Sequence, residues 1–149
     1  VGALATRDLR FYLASAALAS LTRWGFEILI AVAAFEHGGV TAVGVMLLAR
    51  QVPAAMAAPV TAFLADRVAR RDALAALMAI CGVVLGALAL ATATGAPAGA
   101  GLALAIVWSC VFTGVRPAQA ALLPALCASP RQLASANAAW NALDHGAFV

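Results

Sequence analysis

Four ionisable side chains stand inside long apolar stretches: Arg23 and Glu27 in the first, Arg50 in the second, and Arg116 in the fourth. Charges in such places are expensive, and each has a chemical use. Arg50, near the middle of its stretch, is a candidate to meet an anionic or polar group of a substrate. Glu27 is the single carboxylate deep in the four complete stretches and is the candidate to carry a proton or another coupling cation. Arg23 and Glu27 are four residues apart, so a helix places them on one face with Ala16, Ser20, Ala31 and Ala34, while Leu18, Leu29 and Val32 point elsewhere. A structural use competes with each of these. Glu27 can bridge to Arg23 or Arg50, and Arg116 can bond to helix-end carbonyls. Three arginines against one glutamate leave this interior net positive.

The elements that must position these charges are apolar helices. Of 149 residues, 65% are hydrophobic and 10% charged, and the mean hydropathy is +1.00. A soluble domain is about 25% charged, so a water-soluble fold and a soluble enzyme are both excluded. The apolar stretches cover about 11–35, 40–64, 73–94 and 100–126, and a fifth begins near Ala136. Each complete stretch has the roughly 20 residues a membrane crossing needs, and none alternates in the two-residue period of a barrel strand. The expected fold is an all-α, polytopic membrane helix bundle of four spans plus the start of a fifth. The chain opens on Val1 and stops at Val149 within an apolar stretch, and it reads as a fragment of something longer. The first span is marginal by itself. Two central charges cost roughly 5 to 7 kcal/mol, about what ten large apolar side chains at roughly 0.3 to 0.6 kcal/mol each return. Its charged face must therefore lie against other helices or a water-filled cavity.

Charges at the ends of the spans set orientation. All nine basic residues are arginine and the net charge is +3. Arg7 and Arg10 precede the first span, Arg67, Arg70 and Arg71 separate the second from the third, and Arg131 follows the fourth, while the links 36–39 and 95–99 contain no arginine. The positive-inside rule makes the arginine-bearing ends, and the N-terminus, cytoplasmic. Arginines scattered in this way do not form a nucleic-acid surface. A secretory signal over 7–19 is a rival reading, but the apolar run continues to Phe35 and further spans follow. Cys81, Cys110 and Cys127 form no Cys-x-x-Cys pair, and His37 and His145 lie far apart, so no catalytic, metal or cofactor site is expected. Pro53 and Pro59 in the second span, and Pro117 and Pro124 in the fourth, invite kinks. Gly82 and Gly86 form a Gly-x-x-x-Gly face suited to close helix packing. Ser129, Pro130 and Gln132 form the start signal of another helix.

Between the second and third spans runs Ala62-Phe63-Leu64-Ala65-Asp66-Arg67-Val68-Ala69-Arg70-Arg71. It resembles the signature loop of the major facilitator superfamily, Gly-x-Leu-Ala-Asp-Arg-x-Gly-Arg-Arg, with Ala62 and Ala69 in place of two glycines. Gly38-Gly39, Arg50 with Pro53 and Pro59, Arg116-Pro117-Ala118-Gln119, Leu122-Leu123-Pro124 and Ala136-Asn137 are similar to bacterial facilitators of the drug and siderophore exporter type. The resemblance implies a twelve-helix transporter of the bacterial inner membrane, with this chain as its N-terminal part and a second half missing. It implies alternating access, with export of a small molecule coupled to protons. Asp66, with Arg67, Arg70 and Arg71, would latch the cytoplasmic side. Glu27, Arg23, Arg50 and Arg116 are the candidate coupling or substrate residues. Two alternatives are a small four-helix exporter acting as a dimer and a non-transporting membrane sensor or assembly module.

Overall fold

The computed structural model describes residues 7–146, with the side chains of Leu64, Ala65, Asp66, Ala98 and His145 outside that description. The chain folds as helices α1 (Arg7–Asp66), α2 (Arg70–Ala93), α3 (Ala98–Phe112), α4 (Val115–Leu126) and α5 (Pro130–Gly146), with no strand among the described residues. The fold is all-helical, as the apolar runs predict.

α1 is 60 residues long. At 1.5 Å per residue an unbroken helix of that length would reach about 90 Å, three times the roughly 30 Å of a bilayer's hydrocarbon core. It is not unbroken. Gly38 (φ −170°, ψ 24°) and Gly39 (φ 64°, ψ −155°) leave the helical backbone within the link expected at 36–39. The angles of Gly39 lie in a region essentially reserved for glycine. α1 therefore consists of two arms, 7–37 and 40–66, of about 46 and 40 Å, each long enough to cross a bilayer. Among the described residues, three helical segments are long and apolar enough for a crossing: Arg7–Phe63, Arg70–Ala93 and Gly99–Leu126. Their apolar surface is turned outward, since only 11% of the most apolar window in the first is buried. Leu18, Ile28, Leu29 and Val32 are all exposed on the first arm.

The expected fourth span is interrupted. Thr113 and Gly114 separate α3 from α4. Pro117, expected to kink a continuous helix, instead occupies the first turn of α4, where a missing N–H leaves no intrahelical bond unmade. Pro53, Pro59 and Pro124 do lie inside helices.

The described chain divides into two compact units. In one, comprising 7–37 and 120–146, Leu9, Tyr12 and Leu13 of the first arm pack with Leu123 of α4 and Ala136 of α5, flanked by Leu133 and Trp140. α5 enters this core through a cap that its sequence encodes. The Gln132 N–H donates to Ser129 Oγ at 3.2 Å, and Gln132 Oε1 accepts from the Ala128 N–H at 2.9 Å. This is a capping box whose return bond falls one residue earlier than the usual pattern.

In the other unit, 38–119, α2 packs on α3. Trp108 and Phe112 stack with ring centroids 4.6 Å apart. Close helix approach occurs at Gly114, where an added Cβ would lie 3.3 Å from carbons of both Leu77 and Thr61. It does not occur at Gly82 or Gly86, where a Cβ would meet nothing within 4 Å. The Gly-x-x-x-Gly face of α2 is thus open toward the surface, contrary to the sequence expectation. The pattern permits close packing, and the neighbouring helix contacts other residues of α2.

Candidate functional site

The first arm of α1 carries the charge that the sequence flags earliest. The Arg23 guanidinium lies 4.4 Å over the indole of its neighbour Trp24, and its Nη2 is 3.8 Å from Oδ1 of Asp144 on α5. Ser20, one turn before Arg23, donates from Oγ to the same carboxylate oxygen at 2.8 Å. Trp24 Nε1 donates to the Asp144 backbone carbonyl at 3.2 Å. Ser20, Arg23 and Trp24, neighbours on one helix face, thus converge on a single residue of another helix. The Asp144 side chain is 9% exposed and that of Arg23 26% exposed. A pair in which one member still touches solvent avoids part of the desolvation cost of a fully buried one.

Asp144 is the site residue that the sequence reading lacks. In the sequence it stands in the unfinished fifth stretch, beyond the carboxylates of the complete spans. A signal was present: Ala136, Trp140 and Asp144 follow one another at four-residue spacing, so they share a helix face, and the face is apolar until its last member. The Arg23 bridge reaches Asp144 across elements, whereas the sequence suggested Glu27 on the same arm. Glu27 itself is half-buried.

Arg50 lies in the second unit, on the arm 40–66. It is 1% exposed, among the most deeply buried side chains of the chain, with Nε and Nη1 shielded from solvent. Ala54, one turn further on, is also buried. Ser109 and Gln119 are buried polar residues of the same unit. A guanidinium so enclosed costs several kcal/mol unless its surroundings supply compensating interactions. Arg116 differs, being exposed in the first turn of α4.

The 62–71 segment spans the end of α1, the short link 67–69 and the start of α2. Arg67, Arg70 and Arg71 are exposed, and the Arg67 guanidinium lies 4.3 Å over the Phe63 ring. Asp66 closes α1, and its side chain lies outside the described residues. Ala69 takes φ −57° and ψ 131°, an ordinary extended conformation, and its carbonyl accepts the Ala73 N–H at 2.9 Å. The backbone therefore accommodates alanine where the resembling motif has glycine.

A chain built from helices of bilayer length, with outward apolar surface and a few enclosed charges, has the construction of a membrane-spanning protein. No protein-family model matches it, and no curated protein or solved structure is detectably similar.

Proposed function

We propose that this chain is the N-terminal part of a secondary transporter of the major facilitator type. It moves a small molecule across the bacterial inner membrane by alternating access, as proton-coupled efflux. The observation that carries this reading is the segment Ala62–Arg71. Its Asp66, Arg67, Arg70 and Arg71 follow the signature pattern, and the segment joins two apolar helical elements through a link of three residues. The break at Gly38-Gly39 supports counting the two arms of α1 as separate spans. α2 is then the third, α3 with α4 the fourth, and α5 the start of a fifth. The N-terminus is cytoplasmic on this reading.

In this role Asp66 faces the N-terminal end of a helix in the second half, where unpaired N–H groups and the helix dipole favour a carboxylate. Arg67, Arg70 and Arg71 accompany it, and rocking of the halves makes and breaks the contact. Arg50 is the residue for an anionic or polar substrate group, because its burial removes the competition of water. The ion pair between Arg23 and Asp144 favours a second reading, in which enclosed charges serve assembly of a non-transporting module.

Transport assays on the full-length protein in vesicles, with and without an imposed proton gradient, separate the two. Gradient-dependent movement of a substrate that Asp66→Asn slows while membrane insertion stays normal is the expected result. Wild-type transport by that variant removes the latch, and absence of transport under every gradient favours the assembly module.

A further inference from the structure

We propose that Asp144 is a proton-exchanging carboxylate, whose protonation releases Arg23 from its ion pair while the helix contact stays in place. Three features of the site carry this. Asp144 lies on α5, and Ser20 and Arg23 of the first arm are partners of its carboxylate. The partners are matched to a group with two states. Ser20 Oγ donates to Asp144 Oδ1 when the carboxylate is ionised. A hydroxyl both donates and accepts, so it can receive the O–H of a protonated Asp144 and turn its own proton to the carbonyl four residues back.

Arg23 likewise has two places to rest. Its contact to Oδ1, at 3.8 Å, is at the long end of an ion pair, and its guanidinium already lies over the Trp24 ring. A cation over an indole keeps part of its stabilisation when the carboxylate charge is lost. The third feature is the bond from Trp24 Nε1 to the Asp144 backbone carbonyl, which does not involve the carboxylate at all. It holds α5 to the first arm in either state.

The step is simple in its balance. One proton from the aqueous phase bonds to a carboxylate oxygen of Asp144, no other covalent bond changes, and the Arg23–Asp144 pair passes from neutral to a net charge of +1. The other ionisable groups of this unit are few near the site. Glu27 follows Arg23 by one turn on the same arm. The arm's remaining charged or titratable groups toward its ends are Arg7, Asp8, Arg10, Glu36 and His37, with Tyr12 in the apolar core. The part of α4 in this unit has no ionisable side chain, Cys127 follows it in the core, Arg131 is at the opposite end of α5, and the side chain of His145 lies outside the described residues.

The use of such a proton rests on the transport reading, but its binding does not, and the test separates the two. Infrared difference spectra across an acid step are recorded on the full-length protein in lipid vesicles. The wild type is expected to gain a protonated-carboxyl band that Asp144→Asn lacks and Glu27→Gln and Asp144→Glu retain. Ser20→Ala, which keeps the ion pair, is expected to shift that band in frequency because the hydrogen-bond partner is gone. A band lost in Glu27→Gln and kept in Asp144→Asn overturns the assignment, as does the same band, unshifted, in Ser20→Ala. A band dependent on Asp144 in a protein that transports nothing supports the proton site and sinks the transport reading. A band dependent on Asp144 together with full proton-coupled transport by Asp144→Asn supports the proton site and removes its use in coupling.

Discussion

Replacing Gly114 by alanine is expected to destabilise the chain, whereas the same change at Gly82 or Gly86 is not. At Gly114 the new methyl would sit 3.3 Å from Leu77 Cδ1, 3.3 Å from Thr61 Cβ and 3.4 Å from Leu77 Cδ2. Comfortable carbon contacts are about 3.5 to 4.0 Å, so the neighbours must give by a few tenths of an ångström on two sides. The leucine methyls are the far end of a flexible side chain and can move. Thr61 Cβ is one bond from the backbone, and its Oγ1 donates to the Ala58 carbonyl at 2.9 Å, which fixes the rotamer. Overpacking of this kind costs about 1 to 3 kcal/mol, and the reduced freedom of the unfolded chain returns about 0.4 to 1 kcal/mol. The net expectation for Gly114→Ala is a loss of about 1 kcal/mol. Gly82 and Gly86 lie in the interior of α2 with open space around them, so alanine there gains about 0.5 to 1 kcal/mol of helix preference. The two positions should therefore differ in sign and by about 1.5 to 2 kcal/mol. Reversible denaturant unfolding in mixed micelles, followed by circular dichroism, reads this directly. If Gly82→Ala destabilised the chain as much as Gly114→Ala, the packing of α2 described above would be wrong.

A double-mutant cycle with Arg23→Gln and Asp144→Asn measures the cross-helix pair. Unit charges 3.8 Å apart interact by about 4 kcal/mol at an effective dielectric of 20, and partial exposure of Arg23 reduces this to an expected coupling of about 1 to 2 kcal/mol. A coupling near zero in the same unfolding assay would make the pair incidental. Gly39→Ala forces a side chain into backbone angles that only glycine adopts comfortably and is expected to cost about 1 to 3 kcal/mol, while Gly44→Ala, within the following arm and in open space, should be neutral or stabilising. Equal stability of the two variants would argue against the break between the arms.

Features written in consecutive residues were legible, and features made by meeting helices were not. Two adjacent glycines between apolar runs mark the break in α1, and Ser129 with Gln132 marks the start of α5, because a turn and a cap are made by the residues that encode them. The enclosure of Arg50 was legible as a charge in mid-stretch, since a position remote from both ends of a span has no easy route to water. The partner of Arg23 was not. It stands more than a hundred residues away, and helix periodicity gives the face of a side chain but not what that face meets. The glycines teach the same lesson: Gly82 and Gly86 have the spacing, but Gly114 has the neighbour. The interruption of the fourth stretch at Thr113-Gly114 was marked only by Arg116 and Pro117 just beyond it, which are equally compatible with a charge and a kink in a continuous helix.

The distance along the chain from Ser20 to Asp144, 124 residues, also sets a schedule. Ribosomes add roughly 5 to 20 residues per second, so Arg23 is added to the chain roughly 6 to 24 s before the carboxylate that pairs with it. Through that interval the first arm holds its cation with only local help, the ring of Trp24 beside it. The cross-helix contact that satisfies Arg23 is therefore a late event, formed only after α5 has been made.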